Sequence, residues 1–248
     1  RSGPWLSRVK GTLGFLELAA ALKFMSNADL YWQWRLLTRP VLLSAWAIIF
    51  VCAALYLIGI LRFGLAAETE GRRQRVSSGR RAFAGVFLAG ALYCVWGLVG
   101  RPINLLETYL PPAGYGGAAA PAKERGLPWM TDYRQALAQA RAQNKPLLID
   151  FTGYFCTNCR YNENNVFPAP PVQAELRNFV LVQLYTDGKD DAANQRLQQD
   201  TFGSIALPLY GVLNPQTGHP VGQIAGTQTA GGFARFLSQA RATAVASR

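Results

Sequence analysis

Two long runs of residues without a single charge most constrain how this chain can fold. They cover residues 40–61 and 82–100, and arginines stand at both ends of each run. A helix needs about 20 predominantly apolar residues to cross the hydrocarbon core of a bilayer. Because both runs have that length and are rich in Leu, Ala, Val, Phe and Trp, we interpret them as membrane-spanning helices. The alternative, a pair of buried helices in a soluble protein, fits such uncharged runs less well.

A third apolar stretch precedes them at residues 11–26, but it contains Glu17 and Lys23. It is a candidate third span, with Glu17 either facing a helix bundle or reaching water near a helix end. We therefore predict a transmembrane helical region of about three helices over residues 1–110. The chain starts without a methionine and shows no signal-peptide pattern, so we expect this region to be truncated at its N-terminus.

Basic residues cluster between the two uncharged runs. The cluster contains Arg72, Arg73, Arg75, Arg80 and Arg81. Loops rich in Lys and Arg stay in the cytoplasm, so the chain after the second run should face the periplasm or the cell exterior. A nucleic-acid-binding patch is the alternative. Between two membrane spans the topological role explains the cluster better, and we expect no nucleic-acid partner.

The second half of the chain has the pattern of one α/β domain. Residues 111–127 are largely Pro, Gly and Ala, which predicts a flexible linker, and residues 128–248 alternate between helical and strand patterns. Strands are predicted at 146–151, 179–185, 209–213 and 220–224. Helices are predicted from 133 to about 143 with a cap at 131–132, after 156, at 172–177, at 190–200 and from about 233 to 240. The order predicts a sheet covered by helices.

Cys156-Thr157-Asn158-Cys159 follows the first of these strands. Two cysteines at this spacing on a strand-to-helix turn indicate a dithiol/disulfide redox pair, because the helix N-terminus stabilises the first thiolate. Structural cysteines or half of a zinc site are the alternatives, but zinc needs about four ligands. Cys52 and Cys94 lie in the apolar runs, where packing is expected and a second redox pair is the alternative. We therefore expect no metal and no cofactor beyond the disulfide.

Four segments carry a resemblance to known proteins. Residues 150–160 (DFTGYFCTNCR) resemble the active-site segment of thioredoxin-like domains, and Leu207-Pro208 resembles their cis-proline position. Residues 14–19 and 22–30 resemble late membrane helices of the DsbD family of thiol:disulfide interchange proteins. That family joins a membrane electron-transfer domain to a C-terminal periplasmic thioredoxin-like domain in the bacterial inner membrane.

The resemblance implies a fold class and a location. The fold is an α-helical membrane segment followed by an α/β thioredoxin-like domain, in which helices flank a central mixed sheet. The location is the inner membrane, with the last domain in the periplasm. The family's membrane cysteines belong to earlier helices, so Cys52 and Cys94 do not inherit their role.

The resemblance also implies roles at the site. Cys156 would attack and Cys159, one turn later, would resolve the mixed disulfide. Asp150 matches a buried acid that exchanges a proton with Cys159, with a pKa raised by burial. Glu163 matches a second acid near the cysteines. The alternatives are a strand-end carboxylate bonded to nearby backbone for Asp150 and a solvated helix residue for Glu163.

The predicted substrate-binding residues surround the cysteines. Pro208 would present a backbone edge to a partner, with a cis peptide bond implied by the resemblance. Tyr154 and Phe155 would shield the cysteines and form an apolar docking surface, or else belong to the core. His219 is expected to be an exposed hairpin residue.

We therefore expect a membrane-anchored protein-disulfide reductase, an enzyme that receives electrons from an upstream membrane electron-transfer domain. Its partners would be periplasmic thiol/disulfide proteins that serve disulfide isomerisation and cytochrome c maturation. A membrane-tethered thiol oxidase is one alternative, since the same motif supports both directions. A non-catalytic thioredoxin-like docking module is another.

Overall fold

The computed structural model describes residues 4–61, 76–112, 115–116 and 126–246 of the chain. Two compact units emerge from it. The first comprises Arg1–Ala28 with Leu36–Leu106, and the second comprises Asp29–Arg35 with Glu107–Arg248. The predicted linker at 111–127 lies largely outside the described residues.

The first unit is helical. Its helices are α1 (Pro4–Trp32), α2 (Arg39–Ile58), α3 (Ser78–Leu98) and the short α4 (Asn104–Glu107). Among the described residues, α2 and α3 are the two helices long and apolar enough to cross a membrane. They correspond to the two uncharged runs. The predicted third span lies within the longer helix α1, which is not among the helices that are apolar enough to cross a membrane.

Helices α2 and α3 pack against each other through small and aromatic residues. The Phe50 and Phe87 rings lie 6.0 Å apart, and Gly90 leaves room for the Phe50 ring. Helix α2 ends where Gly59 adopts a left-handed conformation (φ 85°), which glycine tolerates at a helix C-terminus. Arg80 donates from Nε and Nη2 to the Leu57 carbonyl oxygen, at 2.9 and 2.7 Å, and so stabilises that same helix end.

Of the basic cluster, Arg72, Arg73 and Arg75 lie outside the described residues. Arg81 follows Arg80 in the first turn of α3. Of the two cysteines in these helices, Cys94 is buried and Cys52 is partly buried, and neither forms a disulfide.

The second unit contains a five-stranded mixed sheet. Its strands are β1 (Trp129–Met130), β2 (Leu147–Thr152), β3 (Val180–Tyr185), β4 (Leu209–Leu213) and β5 (Pro220–Ala225). The spatial order is β1-β3-β2-β4-β5. Strands β1, β3 and β2 are parallel, whereas β4 and β5 are antiparallel to their neighbours. The predicted mixed sheet is confirmed.

Helices cover both faces of this sheet. They are α5 (Tyr133–Gln143), α6 (Thr157–Tyr161), a π-helix (Asn162–Val166), α7 (Pro170–Leu176), α8 (Ala192–Phe202) and α9 (Ala230–Ala246). Apolar side chains of α7 and α9 pack on one face and those of α5 and α8 on the other. The predicted fold class, with helices flanking a central sheet, is therefore confirmed.

The alternation of side chains along each strand separates the two cores. On β2, Leu148 packs with the α7 and α9 core, whereas Leu147 and Ile149 pack with the α5 and α8 core. By the same alternation, Asp150 points to the side of Leu148. In the sheet register Asp150 is paired with Gln183 of β3 and with Tyr210 of β4. A row of three polar side chains therefore crosses the centre of this face.

Candidate active site

The two cysteines of the Cys-x-x-Cys motif are joined by a disulfide, with 5.2 Å between their Cα atoms. Cys156 is the N-cap residue of α6, and its Sγ accepts a hydrogen bond from the Cys159 backbone N–H at 3.1 Å. Cys156 is partly exposed, whereas Cys159 is only 1% exposed. A partner can therefore reach the first sulfur more easily than the second, and the order of attack stays a prediction.

A carboxylate at the end of β3 holds the loop that leads into Cys156. Asp187 accepts hydrogen bonds from the backbone N–H groups of Tyr154 and Phe155, at 2.7 and 3.1 Å. Burial raises the pKa of Asp187, while those two N–H groups act in the opposite direction. Sequence reasoning missed this residue.

A groove of about 430 Å³ opens beside the disulfide. It is lined by Phe155, Cys156, Thr157, Asn158, Asp187 and Leu207. Of the two predicted aromatic residues, Phe155 lines the groove. Tyr154 does not, and its ring stacks on that of Tyr185 with a centroid distance of 4.0 Å. Burial raises the pKa of Tyr154, with the Asp191 charge adding to the effect.

The Leu207-Pro208 peptide bond is cis. Pro208 is buried, and its carbonyl oxygen accepts a hydrogen bond from the Gly226 N–H at 2.9 Å. The preceding residue, Leu207, is the one that lines the groove. The role of Pro208 in binding a partner stays a prediction, and Leu207 is a groove residue that the sequence reasoning passed over. His219 is exposed.

Both predicted acids are buried in the second unit. Asp150 is fully buried and Glu163 is 2% exposed, so Glu163 is not the solvated helix residue of the alternative interpretation. The Gln183 amide lies between them: its Nε2 donates to Asp150 Oδ2 at 2.8 Å and to Glu163 Oε1 at 2.9 Å. Gln183 thus joins two carboxyl groups that the sequence separates by 13 positions.

The basic residue directly after the second cysteine is buried with them. Arg160 Nη1 lies 2.7 Å from Glu163 Oε2, and Arg160 Nη2 donates to Thr152 Oγ1 at 2.8 Å. The guanidinium group also lies over the Tyr185 ring, at 5.8 Å from its centroid. Burial lowers the pKa of Arg160, but Glu163 and Tyr185 together raise it more, so it lies above its ordinary value. Arg160 therefore stays charged and supplies a permanent positive charge.

The π-helix brings a further buried side chain to the site. Asn162 Nδ2 donates to the Tyr210 hydroxyl at 2.9 Å and to the Gly226 carbonyl at 3.0 Å, and Asn162 Oδ1 accepts from the Gln228 N–H at 2.9 Å. Gly226 also donates a hydrogen bond to the Pro208 carbonyl oxygen. Asn162 therefore connects the π-helix that continues α6 to the segment that supports the cis-proline. Single-turn π segments often occur at functional sites.

The part of the chain that the structure describes contains no group of three or more His, Cys, Asp or Glu side chains arranged to hold a metal ion. The arrangement around the cysteines can carry out dithiol/disulfide chemistry. Its components are a reachable sulfur at a helix N-terminus, a buried second sulfur, and buried acids on the strand before and the helix after the motif.

Comparison with known proteins finds similarity to thioredoxin-like domains and to thiol:disulfide interchange proteins. A thioredoxin-like family model matches residues 128–215. DsbD 1 of Pseudomonas aeruginosa, a thiol:disulfide interchange protein, is 28% identical over 85% of this chain and 34% of its own length. DsbD of Ralstonia nicotianae is 28% identical over 99% of this chain and 38% of its own length. The resemblance to the DsbD family is confirmed.

The DsbD-like chain spans about a third of the length of these curated relatives. Among solved structures, the C-terminal domain of Neisseria meningitidis DsbD in the oxidised form is 18% identical, with a TM-score of 0.39 over 46% of this chain and 99% of that one. A thioredoxin from Thermus thermophilus is 24% identical, with a TM-score of 0.39 over 45% of this chain and 84% of the other.

Proposed function

We propose that this chain is a membrane-anchored thiol:disulfide oxidoreductase that reduces disulfides in other proteins. One observation carries the proposal. The Cys156–Cys159 disulfide lies at the N-terminus of α6, with Cys156 on an open groove and Cys159 buried. A helix N-terminus favours the thiolate, which is the species that attacks a disulfide.

The reaction would proceed through a mixed disulfide. The Cys156 thiolate attacks one sulfur of a partner's disulfide and releases the other sulfur as a thiolate. Cys159 then gives up its proton and attacks Cys156, which frees the partner's second sulfur. Two electrons pass to the partner, and the chain is left with the Cys156–Cys159 disulfide. A dithiol in an upstream membrane electron-transfer domain would reduce it again.

The buried acids would manage the proton of Cys159. Glu163 forms a 2.7 Å ion pair with the permanently charged Arg160. Asp150 is fully buried and is joined to Glu163 through the Gln183 amide. We therefore assign proton transfer with Cys159 to Asp150, and to Glu163 an electrostatic influence on the pair.

We propose the following organisation for this function. Residues 1–110 anchor the chain in the bacterial inner membrane, residues 111–127 form a linker, and residues 128–248 form the redox domain in the periplasm. The two helices long and apolar enough to span a bilayer support this arrangement. Partners in this compartment would include thiol/disulfide proteins that serve disulfide isomerisation and cytochrome c maturation.

The reduction potential tests the direction of electron flow. The full chain would be purified in detergent with Cys52→Ala and Cys94→Ala, so that only the site thiols respond, and equilibrated with glutathione buffers. A potential at or below roughly −200 mV is expected for a reductant. A value near about −120 mV is typical of a strong oxidant and would favour the oxidase alternative.

A second measurement separates catalysis from docking. In the same background, Cys156→Ala should abolish reduction of a disulfide-bonded protein such as insulin, because no attacking sulfur remains. Cys159→Ala should still attack and should accumulate a mixed disulfide, which a non-reducing gel detects. Equal cellular function with and without both cysteines would support the docking module and contradict the proposal.

A further inference from the structure

Asp187 lies at the site although it belongs to neither the cysteine motif nor the two predicted acids. It follows β3 by two residues, and its carboxylate lines the same groove as Cys156. Its two oxygens accept from consecutive backbone N–H groups, Oδ1 from Tyr154 and Oδ2 from Phe155. The carboxylate is thus bonded to the residue directly before the attacking cysteine.

The space for this carboxylate depends on a glycine. A Cβ atom added to Gly153 would lie 2.8 Å from Asp187 Cγ and 2.9 Å from Leu207 Cδ1, closer than Cβ atoms approach other atoms. Gly153 therefore lets the loop lie directly against Asp187. The loop is held by Asp187 on one side and continues into α6 on the other.

Two opposing electrostatic effects meet at Cys156. The Cys159 N–H, which donates to Cys156 Sγ at 3.1 Å, favours the thiolate form of Cys156. The Asp187 carboxylate on the same groove disfavours it, because like charges repel. Asp187 is only partly exposed, so water screens its charge less than it screens a charge on the open surface.

We propose that Asp187 is a positioning residue of the exchange reaction, which fixes the 153–155 loop and restrains thiolate formation at Cys156. The inference rests on the proposed function and deepens it. A strongly stabilised thiolate stabilises the reduced form and makes a dithiol a strong oxidant. By opposing that stabilisation, Asp187 keeps the pair suited to reducing its partners.

Other charged groups face Asp187 and must be separated from its effect. Lys189 and Asp190 are exposed on the same loop, and Asp191 is partly buried there, where it accepts a hydrogen bond from the Gly188 N–H at 2.9 Å. From α6, the positive charge of Arg160 attracts the Asp187 carboxylate. Of these groups, Asp190 provides the matched control because it has the same charge and lies outside the groove lining.

The test is the pH dependence of Cys156 alkylation by iodoacetamide in the reduced full chain, in detergent, with Cys52→Ala and Cys94→Ala. Asp187→Asn removes the charge and is expected to lower the midpoint of the profile by roughly one pH unit, as removal of a nearby like charge should. Asp190→Asn should shift it by less than about a third of that. Equal shifts in the two variants would overturn the proposal.

A second variant keeps the result interpretable if Asp187→Asn folds poorly. Asp187→Glu retains the charge in the groove and should leave the midpoint close to that of the parent chain. A downward shift in Asp187→Glu as large as the one expected for Asp187→Asn would overturn the electrostatic role. Insulin reduction by the parent chain tests the proposed function separately. A parent that reduces insulin, with no shift in Asp187→Asn, contradicts only the inference about Asp187.

Discussion

The two units of this chain place the same apolar residue types in opposite environments. Phe83 on α3 is 65% exposed, whereas Phe167 beside the sheet of the redox domain is 1% exposed. In water, large exposed apolar residues at such density are costly, but among lipid tails they are not. Composition alone therefore does not define a core, and the exposure of Phe83 is what the proposed membrane anchor would require.

The two units also differ in where they place charged residues. The redox domain buries Asp150, Glu163 and Arg160 together and gives them hydrogen-bond partners within the domain. By contrast, the only charged residue of α2 is Arg39, and those of α3 are Arg80 and Arg81. Burying polar groups costs free energy, so the buried cluster of the redox domain is the kind of feature that the proposed function has to explain.

The largest effect is expected from breaking the apolar core of the redox domain. Phe167 stacks on Trp129 and Phe233 with ring centroids 5.4 and 5.6 Å away. Phe167→Ala should lower the free energy of unfolding by about 4 kcal/mol through lost burial and a cavity. Pulse proteolysis of the detergent-solubilised chain at increasing urea measures it.

The matched control for Phe167→Ala is Phe83→Ala in the other unit. The same chemical change there removes an exposed ring, and the free energy of unfolding of the redox domain should not change by more than about 0.5 kcal/mol. Equal losses in the two variants would contradict the contrast between the two environments.

A somewhat smaller effect is expected from breaking the buried ion pair. Glu163→Ala leaves the Arg160 guanidinium without its carboxylate partner and should cost about 3 kcal/mol of stability. The double variant Arg160→Met with Glu163→Leu should recover most of that loss, because apolar residues of similar volume can replace a buried pair. Thermal unfolding of both variants provides the comparison, and a double variant no more stable than the single one would refute this explanation.

The smallest of the three effects concerns the membrane face. Ile48 on α2 is 63% exposed, and Ile48→Arg should disfavour insertion by roughly 2.5–3 kcal/mol. Ile205 in the redox domain is 62% exposed, so Ile205→Arg makes the same change at the same exposure. Alkaline extraction of membranes should release part of the Ile48→Arg protein and none of the Ile205→Arg protein. Equal release would show that α2 does not face lipid.

Much of the fold follows from periodicity and length. The strand at 209–213 and the helix at 133–143 have the bounds that their apolar patterns indicate. The first strand, Trp129–Met130, cannot be predicted in this way. It has only two residues, too few to show alternation, and it pairs with β3, which lies about 50 residues later in the sequence. The π-helix cannot be predicted from apolar patterns either, because it continues α6 without a change in composition.

The site is less predictable than the fold, for a different reason. The cysteines and the two acids follow from a local motif, but Gln183 and Asp187 contact them only after β3 has paired with β2. Gln183 did carry a signal, since a polar residue within the continuous apolar run VLVQLY needs a partner in the sheet. Asp187 follows the strand in a polar segment, where nothing distinguishes it from Asp190.

The close fit of Gly153 against Asp187 also has an evolutionary consequence. A larger residue at 153 collides with the carboxylate as long as Asp187 is present. A shorter residue at 187 removes that collision and leaves only the contact with the Leu207 side chain, at 2.9 Å from Cδ1. The two substitutions are therefore epistatic, and their order decides whether each intermediate sequence folds well. In related chains, Gly at 153 and Asp at 187 should accordingly be gained and lost together.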